Sequence, residues 1–227
     1  MMPDKSLLVV IPAMNEAATI AAIVAKLRAQ GRDVLVVDDG STDNTADIAL
    51  QQGARVMPLV NNMGAWNATQ AGIRYALQHA YQNVVCMDAD GQHCPDAIAG
   101  MLNYSQQQQA DVVIAAFPAR GGLAKKVTWT FFKRLSGLNI NDLTSGFRLY
   151  RLPAMQELAR TRATMLDYQD VGVLLILQNA GLRIAEMETT MQQRRDGKSR
   201  IFSSWLKILY YLWYTTLLCF SKRTPIK

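Results

Sequence analysis

Three times in its first hundred residues the chain repeats one pattern, a short apolar run rich in β-branched residues that breaks off into acidic or turn-forming residues. Leu7–Ile11 runs into Pro12–Glu16, Val34–Val37 into Asp38–Asn44, and Val84–Met87 into Asp88–Gln92. Apolar runs without polar alternation belong to strands buried on both faces, as in a parallel sheet covered by helices on each side. Between the first two runs, Glu16–Gln30 carries Ile20, Ile23, Val24 and Leu27 at helical spacing and stops at Gly31. A βαβ unit results. A second is predicted through a helix over Asp43–Gln51, a strand near Arg55–Leu59, a helix over Trp66–Ala80 and the strand Val84–Met87. Right-handed crossovers then leave the strands' carboxyl ends along one edge, where open sheets of this type bind ligands. The expected fold class is α/β, a Rossmann-like, mostly parallel sheet flanked by helices.

Val112–Ala116 adds one more buried strand. Beyond it, residues 117–147 mix glycines, Lys125, Lys126, aromatic Trp129, Phe131 and Phe132, and polar Asn139–Ser145, which predicts a mobile or substrate-facing segment. Residues 170–180 read as a helix and Leu182–Glu188 as an edge strand. No Pro/Gly/Ser-rich linker or internal repeat divides the 227 residues, so one domain over 1–200 and an apolar, basic segment over 201–227 are expected. Cys86, Cys94 and Cys219 form neither a C-x-x-C pair nor a regular framework, which points to a reducing compartment. The apolar run near the amino terminus is too short for a signal peptide, and a location inside the cell is expected.

The net charge of +6 is concentrated at the carboxyl end, where residues 194–227 carry Arg194, Arg195, Lys198, Arg200, Lys207, Lys222, Arg223 and Lys227 against Asp196 alone. Such a cluster suits an anionic membrane surface, a phosphate-bearing substrate or nucleic acid. Trp205–Phe220 is apolar apart from Lys207. As a helix it would reach roughly 24 Å, short of the ~30 Å hydrocarbon core. Its tryptophans and tyrosines suit the headgroup layer, so an amphipathic helix lying in the membrane interface is expected. The competing expectation is a helix packed on the sheet or on a second subunit. A nucleic-acid role is excluded, because the aromatic residues of the tail are too hydrophobic for an exposed stacking platform.

Asp88-Ala89-Asp90 sets two carboxylates with one small residue between them at a strand's carboxyl end. Two hard oxygen donors, with Gln92 as a third, suit Mg²⁺ or Mn²⁺ whose shell is completed by diphosphate oxygens. The bland alternative is turn-forming aspartates. Asp38-Asp39-Gly40-Ser41 has the same placement one unit earlier. There Gly40 would supply an unusual backbone angle and Ser41 or Asp43 would cap the next helix, while a carboxylate accepts hydrogen bonds from a base or ribose. Pro12 and Glu16 would otherwise be a helix-leading proline and a first-turn charge. No glycine follows the first strand, which excludes a dinucleotide-binding G-x-G-x-x-G, and Gly197-Lys198-Ser199 lacks the rest of a P-loop. His79 and His93 are the only histidines, too few for a polyhistidine zinc site, and His93 with Cys94 offers only adventitious metal binding.

The segments LLVVIPAMNEAATI, VLVVDDGSTDNT, NVVCMDADGQHCPD, NDLTSGFRLYR and RRDGKSR occur in an order and spacing that resemble family 2 glycosyltransferases of GT-A fold. The most similar subgroup transfers mannose or glucose from a nucleotide sugar to dolichyl or other polyprenyl phosphate. The resemblance implies that Pro12, Ala13 and Glu16 line the nucleotide pocket and that Asp39 contacts the base or ribose. It implies metal ligands at Asp88, Asp90 and Gln92, and donor contacts at Asp88, Ala89 and Asp90. Arg194 and Arg200 match basic positions that touch donor or acceptor phosphates, although Arg200 stands where the family has lysine. Asp142, Ser145 and Arg148 match a block near the acceptor or its supporting shell. Where relatives carry G-[ST]-R after the strand corresponding to Val112–Ala116, this chain has Ala116-Phe117, with Arg120 further along. Asp170 is either a catalytic base, as in other branches, or a helix-terminal aspartate.

The resulting expectation is an inverting, metal-dependent hexosyl transfer from a nucleoside diphosphate sugar to a polyprenyl phosphate or similar lipid-linked acceptor. The enzyme would be peripheral on the cytoplasmic face of a membrane. Two alternatives stay open: a glycosyltransferase extending a glycan or lipid-linked oligosaccharide, and a non-catalytic nucleotide-sugar binder.

Overall fold

A computed structural model describes residues 6–117, 132–166, 170–191, 213–217 and 219–220. The chain starts in β1 (Leu8–Ala13), α1 (Ala17–Ala29), β2 (Asp33–Asp38), α2 (Thr45–Gln51), β3 (Arg55–Pro58), α3 (Ala65–Gln78) and β4 (Asn83–Cys86). It continues through α4 (Ala97–Gln107), β5 (Val112–Ala116), β6 (Arg148–Arg151), α5 (Leu152–Leu158), α6 (Thr161–Thr164), α7 (Val171–Asn179) and β7 (Ile184–Glu188). The strands make one sheet in the order β3-β2-β1-β4-β6-β5-β7. Only β6 runs against its neighbours, pairing antiparallel with both β4 and β5. The expected winding and mostly parallel sheet are therefore present.

Each strand divides its side chains between two cores, as the period of two requires. Leu8, Val10, Leu35, Val37, Val84, Cys86 and Tyr150 face α3, α5 and α7. Val9, Ile11, Val34, Val36, Val85, Met87 and Leu149 face α1, α2 and α4. Helices cover both faces, which is why the central strands read as unbroken apolar runs. On the first face, α3 approaches β1 so closely that a Cβ at Gly72 would lie 2.3 Å from Val10 Cγ1. Only glycine permits that approach.

Pro12, for which a helix-leading position is the bland alternative, lies inside β1 opposite Val37. It sits beyond the end of the β1–β4 ladder at Val10 and Cys86, where a residue without an N–H is tolerated. Of the expected interface helix, residues 213–217 and 219–220 are described and helical. Thr215 and Cys219 are buried there, Cys219 within the first core, while Trp213, Leu217 and Phe220 are exposed. No helix among the described residues is long and apolar enough to cross a membrane.

Candidate active site

β1 lies between β2 and β4, and the chain winds to opposite sides of it, so a crevice is expected at the carboxyl ends of these strands. Ala13 is in register with Asp38, and the Asp39 N–H donates to the Ala13 carbonyl at 2.8 Å. On the other side, the Met87 N–H donates to the Val10 carbonyl at 3.1 Å. The three polar clusters predicted from the strand ends thus emerge side by side along one edge.

The first two clusters are welded together. Asn15 adopts a left-handed conformation at φ 53°, which asparagine tolerates, and its Oδ1 accepts the Thr42 N–H at 2.8 Å. The Asn15 N–H donates to Ser41 Oγ at 2.9 Å, the Glu16 N–H to Thr45 Oγ1 at 2.8 Å and the Ala17 N–H to Asp43 Oδ2 at 3.2 Å. Asp43, expected to cap α2, accepts the Thr45 N–H at the start of α2 at 3.0 Å and also the Ala17 N–H at the start of α1, while Ser41, the other candidate cap, bonds to Asn15 and donates its hydroxyl to Asp38. Burial pushes the Asp43 carboxyl up, but hydrogen bonds from the Thr45 hydroxyl, the Thr45 N–H and the Ala17 N–H outweigh it and hold the group below its ordinary 3.8.

Asp39 reaches the other way. It is buried, its Oδ1 accepting the Met63 N–H at 2.6 Å and its Oδ2 the Gly64 N–H at 2.9 Å. The carboxylate expected to meet a base or ribose therefore also anchors the loop before α3, using two of its roughly four acceptor positions. Gly40 has φ +77°, and a Cβ there would lie 3.2 Å from the Asn62 backbone nitrogen, so the same loop presses on the β2 turn.

In the third cluster the turn is fixed from within and without. Asp90 Oδ1 accepts the Gln92 N–H at 3.0 Å, the Asx-type turn of the bland reading. Thr19 Oγ1, from α1, donates to the Ala89 carbonyl at 2.6 Å. The Asp88 N–H donates to His93 Nδ1 at 3.0 Å, while the Asp88 side chain is 49% exposed. That nitrogen accepts from backbone, in keeping with the expectation that His93 is no dedicated metal ligand. The imidazole is buried and stacked with two phenyl rings, with centroids 5.7 Å from Phe117 and 5.0 Å from Phe147. Beneath, in β4, burial pushes the Cys86 thiol up despite the opposing Arg148 charge, so it stays neutral.

The segment before β6 reaches this turn from the far side. Because β6 is antiparallel, Arg148 pairs with Cys86 and residues 142–147 arrive where β4 ends. Asp142 Oδ2 accepts the Phe117 N–H at 3.2 Å, and its own N–H donates to Glu186 of β7 at 2.7 Å. The Ser145 hydroxyl donates to the Ala115 carbonyl at 2.7 Å. Arg148, fully buried, donates from Nε to the Ser145 carbonyl at 2.7 Å and from a terminal nitrogen to the Leu143 carbonyl at 2.9 Å. All three predicted residues are buried and bonded to backbone, and together they shape the turn that carries Gly146. A Cβ at Gly146 would lie 3.0 Å from Asp88 Oδ1.

Asp170 occupies the N-cap position of α7, at φ −81° and ψ −124°. Arg194 and Arg200, like Arg120, lie outside the described residues. Sequence reasoning missed Thr19, Glu186, Phe117, Phe147 and Gly146, and gave His93 no role. Only the proximity of His93 to Asp88 in the chain could have signalled a role. As a donor set, Asp88, Asp90 and Gln92 offer hard oxygens suited to Mg²⁺ or Mn²⁺. Among the described residues no group of three or more His, Cys, Asp or Glu is placed to hold an ion, so such a cation would need further oxygens from a substrate or water.

A sequence model of the family described as Glycosyl transferase family 2 matches residues 8–159. The undecaprenyl-phosphate mannosyltransferase of Micrococcus luteus is 31% identical over 212 residues, spanning 86% of this chain and 86% of its own. The polyprenol monophosphomannose synthase of Mycolicibacterium smegmatis is 29% identical over 221 residues, spanning 89% of this chain and 83% of its own. Among solved structures, glucosyl-3-phosphoglycerate synthase of Mycobacterium tuberculosis, in complex with Mn²⁺, uridine diphosphate and glucosyl-3-phosphoglycerate, superposes with a TM-score of 0.70 at 21% identity. That match covers 96% of this chain and 80% of the other, a likeness of GT-A fold. With most of its sheet and the three strand-end clusters inside the matched region, this chain belongs to glycosyltransferase family 2.

Proposed function

We propose that this glycosyltransferase moves a hexosyl group from a nucleoside diphosphate sugar to a polyprenyl phosphate or a similar lipid-linked acceptor, with inversion at the anomeric carbon. The observation that carries the proposal is the convergence of Ala13, Asp39 and Asp88–Asp90 on adjoining parallel strand ends. The names of the two mannosyl-transferring relatives support the acceptor class, and the solved neighbour with Mn²⁺ and uridine diphosphate supports the donor class.

In this reading Pro12, Ala13, Glu16 and Asp39 line the nucleotide pocket. Asp39 stiffens its wall by holding Met63 and Gly64. Asp88 and Ala89 meet the donor, and Thr19 fixes the Ala89 carbonyl so that the two carboxylates keep their separation. Asp88, Asp90 and Gln92 would hold Mg²⁺ or Mn²⁺, which when bound supplies Lewis-acid stabilisation of charge on the departing diphosphate. Arg194 and Arg200 balance phosphate charge. A phosphate acceptor arrives already ionised, so its transfer requires no general base; a hydroxyl acceptor would require one, and Asp170 is the candidate. The exposed Trp213, Leu217 and Phe220 present an apolar surface to a membrane, and the sequence after them carries the basic Lys222 and Arg223, which suits an anionic one.

The test is the fate of labelled sugar from a panel of nucleoside diphosphate sugars. Label in organic-extractable polyprenyl phosphate is expected. Label confined to soluble oligosaccharide rejects the lipid acceptor, and donor binding with no release of nucleoside diphosphate under any condition rejects catalysis.

A further inference from the structure

We infer that His93 is a positioning residue for Asp88, holding its backbone N–H at one ring nitrogen while the other edge of the ring lies beside its carboxylate. The inference deepens the proposed function, since it rests on Asp88 facing the donor. A backbone N–H can only donate, so the 3.0 Å contact from the Asp88 N–H requires His93 Nδ1 to be unprotonated. The ring hydrogen of a neutral imidazole is then on Nε2. That nitrogen lies 3.7 Å from Asp88 Oδ2. One side chain thus fixes the backbone of Asp88 and sets a ring edge beside a carboxylate that is otherwise half in solvent; at 3.7 Å this second approach is a contact and not a hydrogen bond.

The ring itself has little freedom. Its plane is inclined by only 2° to Phe117 and 14° to Phe147, so the imidazole is stacked with both rings. Phe117 follows β5 and Phe147 precedes β6, and these two strands are themselves paired. The stack therefore carries the rigidity of the sheet into the turn after β4. Gly146 also approaches the carboxylate, where a Cβ would lie 3.0 Å from Oδ1 and 3.2 Å from Oδ2. Asp88 is thus approached by a bare backbone and by a ring edge, which is preorganisation of a group whose value depends on direction.

Two kinds of measurement test this. The first is nitrogen-15 NMR of the imidazole in the unmodified protein without metal. The Nε2–H tautomer is expected, and an Nδ1–H tautomer overturns the proposal whatever any variant does. The second compares His93→Phe, which keeps an aromatic layer but loses both nitrogens, with His93→Asn, whose amide oxygen imitates the Nδ1 acceptor. Affinity for Mn²⁺ in the presence of uridine diphosphate, read by electron paramagnetic resonance, is expected to fall roughly 10–100-fold in His93→Phe. His93→Asn should recover part of that loss, with kcat following and the KM for acceptor unchanged. If His93→Phe is folded by circular dichroism and retains unmodified affinity and kcat, or if His93→Asn recovers nothing, His93 does not position Asp88. A separate control guards the underlying reading, because an Asp88→Asn protein with full activity would reject the role of Asp88 itself and leave the tautomer result standing.

Discussion

Thr19 and Ala89 are seventy residues apart in sequence, yet the threonine hydroxyl donates to the alanine carbonyl at 2.6 Å. This bond ties α1, which follows the first strand, to the turn between the two carboxylates that follow β4. Thr19 is buried, so replacing it by valine keeps the shape and leaves the Ala89 carbonyl without its donor. Thr19→Val is expected to lower stability by about 1–3 kcal/mol in urea unfolding and to weaken donor binding, while Thr19→Ser retains both.

Gly146→Ala places a methyl group where Asp88 Oδ1 now lies 3.0 Å away. The obstacle is the end of a half-exposed side chain, so the fold accommodates it by rotating the carboxylate. Transfer is expected to fall on the order of 10²-fold with a melting temperature near that of the unmodified protein. Steady-state kinetics beside thermal unfolding check the split, and an unchanged kcat would show that the direction of Asp88 is immaterial.

Asp90→Asn keeps an Oδ1 that can still accept the Gln92 N–H, so the turn is preserved while the charge is lost. Nucleoside diphosphate release is expected to fall at least roughly 10²-fold at unchanged stability. Near-normal turnover would remove Asp90 from the site.

Asp39→Asn acts on stability as well. An amide can present an oxygen to only one of the Met63 and Gly64 N–H groups and turns a donor toward the other. The expected loss is about 1.5–3 kcal/mol, the range for hydrogen bonds to charged groups. Hydrogen exchange should accelerate at the amides of Met63 and Gly64 before it does so in β1 or β2.

The Asp43 carboxyl is held below its ordinary value in the folded chain, so folding favours its ionised form. Its contribution is complete above the unfolded value of 3.8 and is lost as the pH falls through the lower folded value. Unmodified protein and Asp43→Asn should differ in melting temperature at neutral pH and converge in the acid limb below about pH 4. A constant difference across that range would mean that the carboxylate charge is irrelevant to the weld between the two loops.

The strands β1, β2, β4 and β5 were legible because each is covered on both faces and so is written in unbroken apolar letters. Helix α4 was not, since Gly100, Asn103 and a run of glutamines obscure the buried set of Ile98, Met101 and Ser105. β6 was hidden for a different reason. Its sequence Arg-Leu-Tyr-Arg looks polar, yet Arg148 is fully buried because carbonyls of Leu143 and Ser145 receive its hydrogens, a compensation set by a loop and not by any period. At the site, the acidic residues could be picked out by their position after strands. Their partners could not. Asp39 finds its donors 24 and 25 residues away, and His93 acquires its setting only when β5 and β6 bring two phenylalanines around it.

The reversed direction of β6 has a consequence for how the two halves of such an enzyme can change. A strand running with its neighbours would begin at the opposite rim and leave the stretch ahead of it far from the chemistry. Running against them, it delivers the Thr144–Phe147 peptide directly onto Asp88. The part of the chain expected to recognise the acceptor and the part expected to grip the donor are therefore in van der Waals contact across one glycine. Changes in the loop ahead of β6 are expected to be felt at Asp88 while the two apolar cores beneath stay in place, which would gear acceptor choice to turnover.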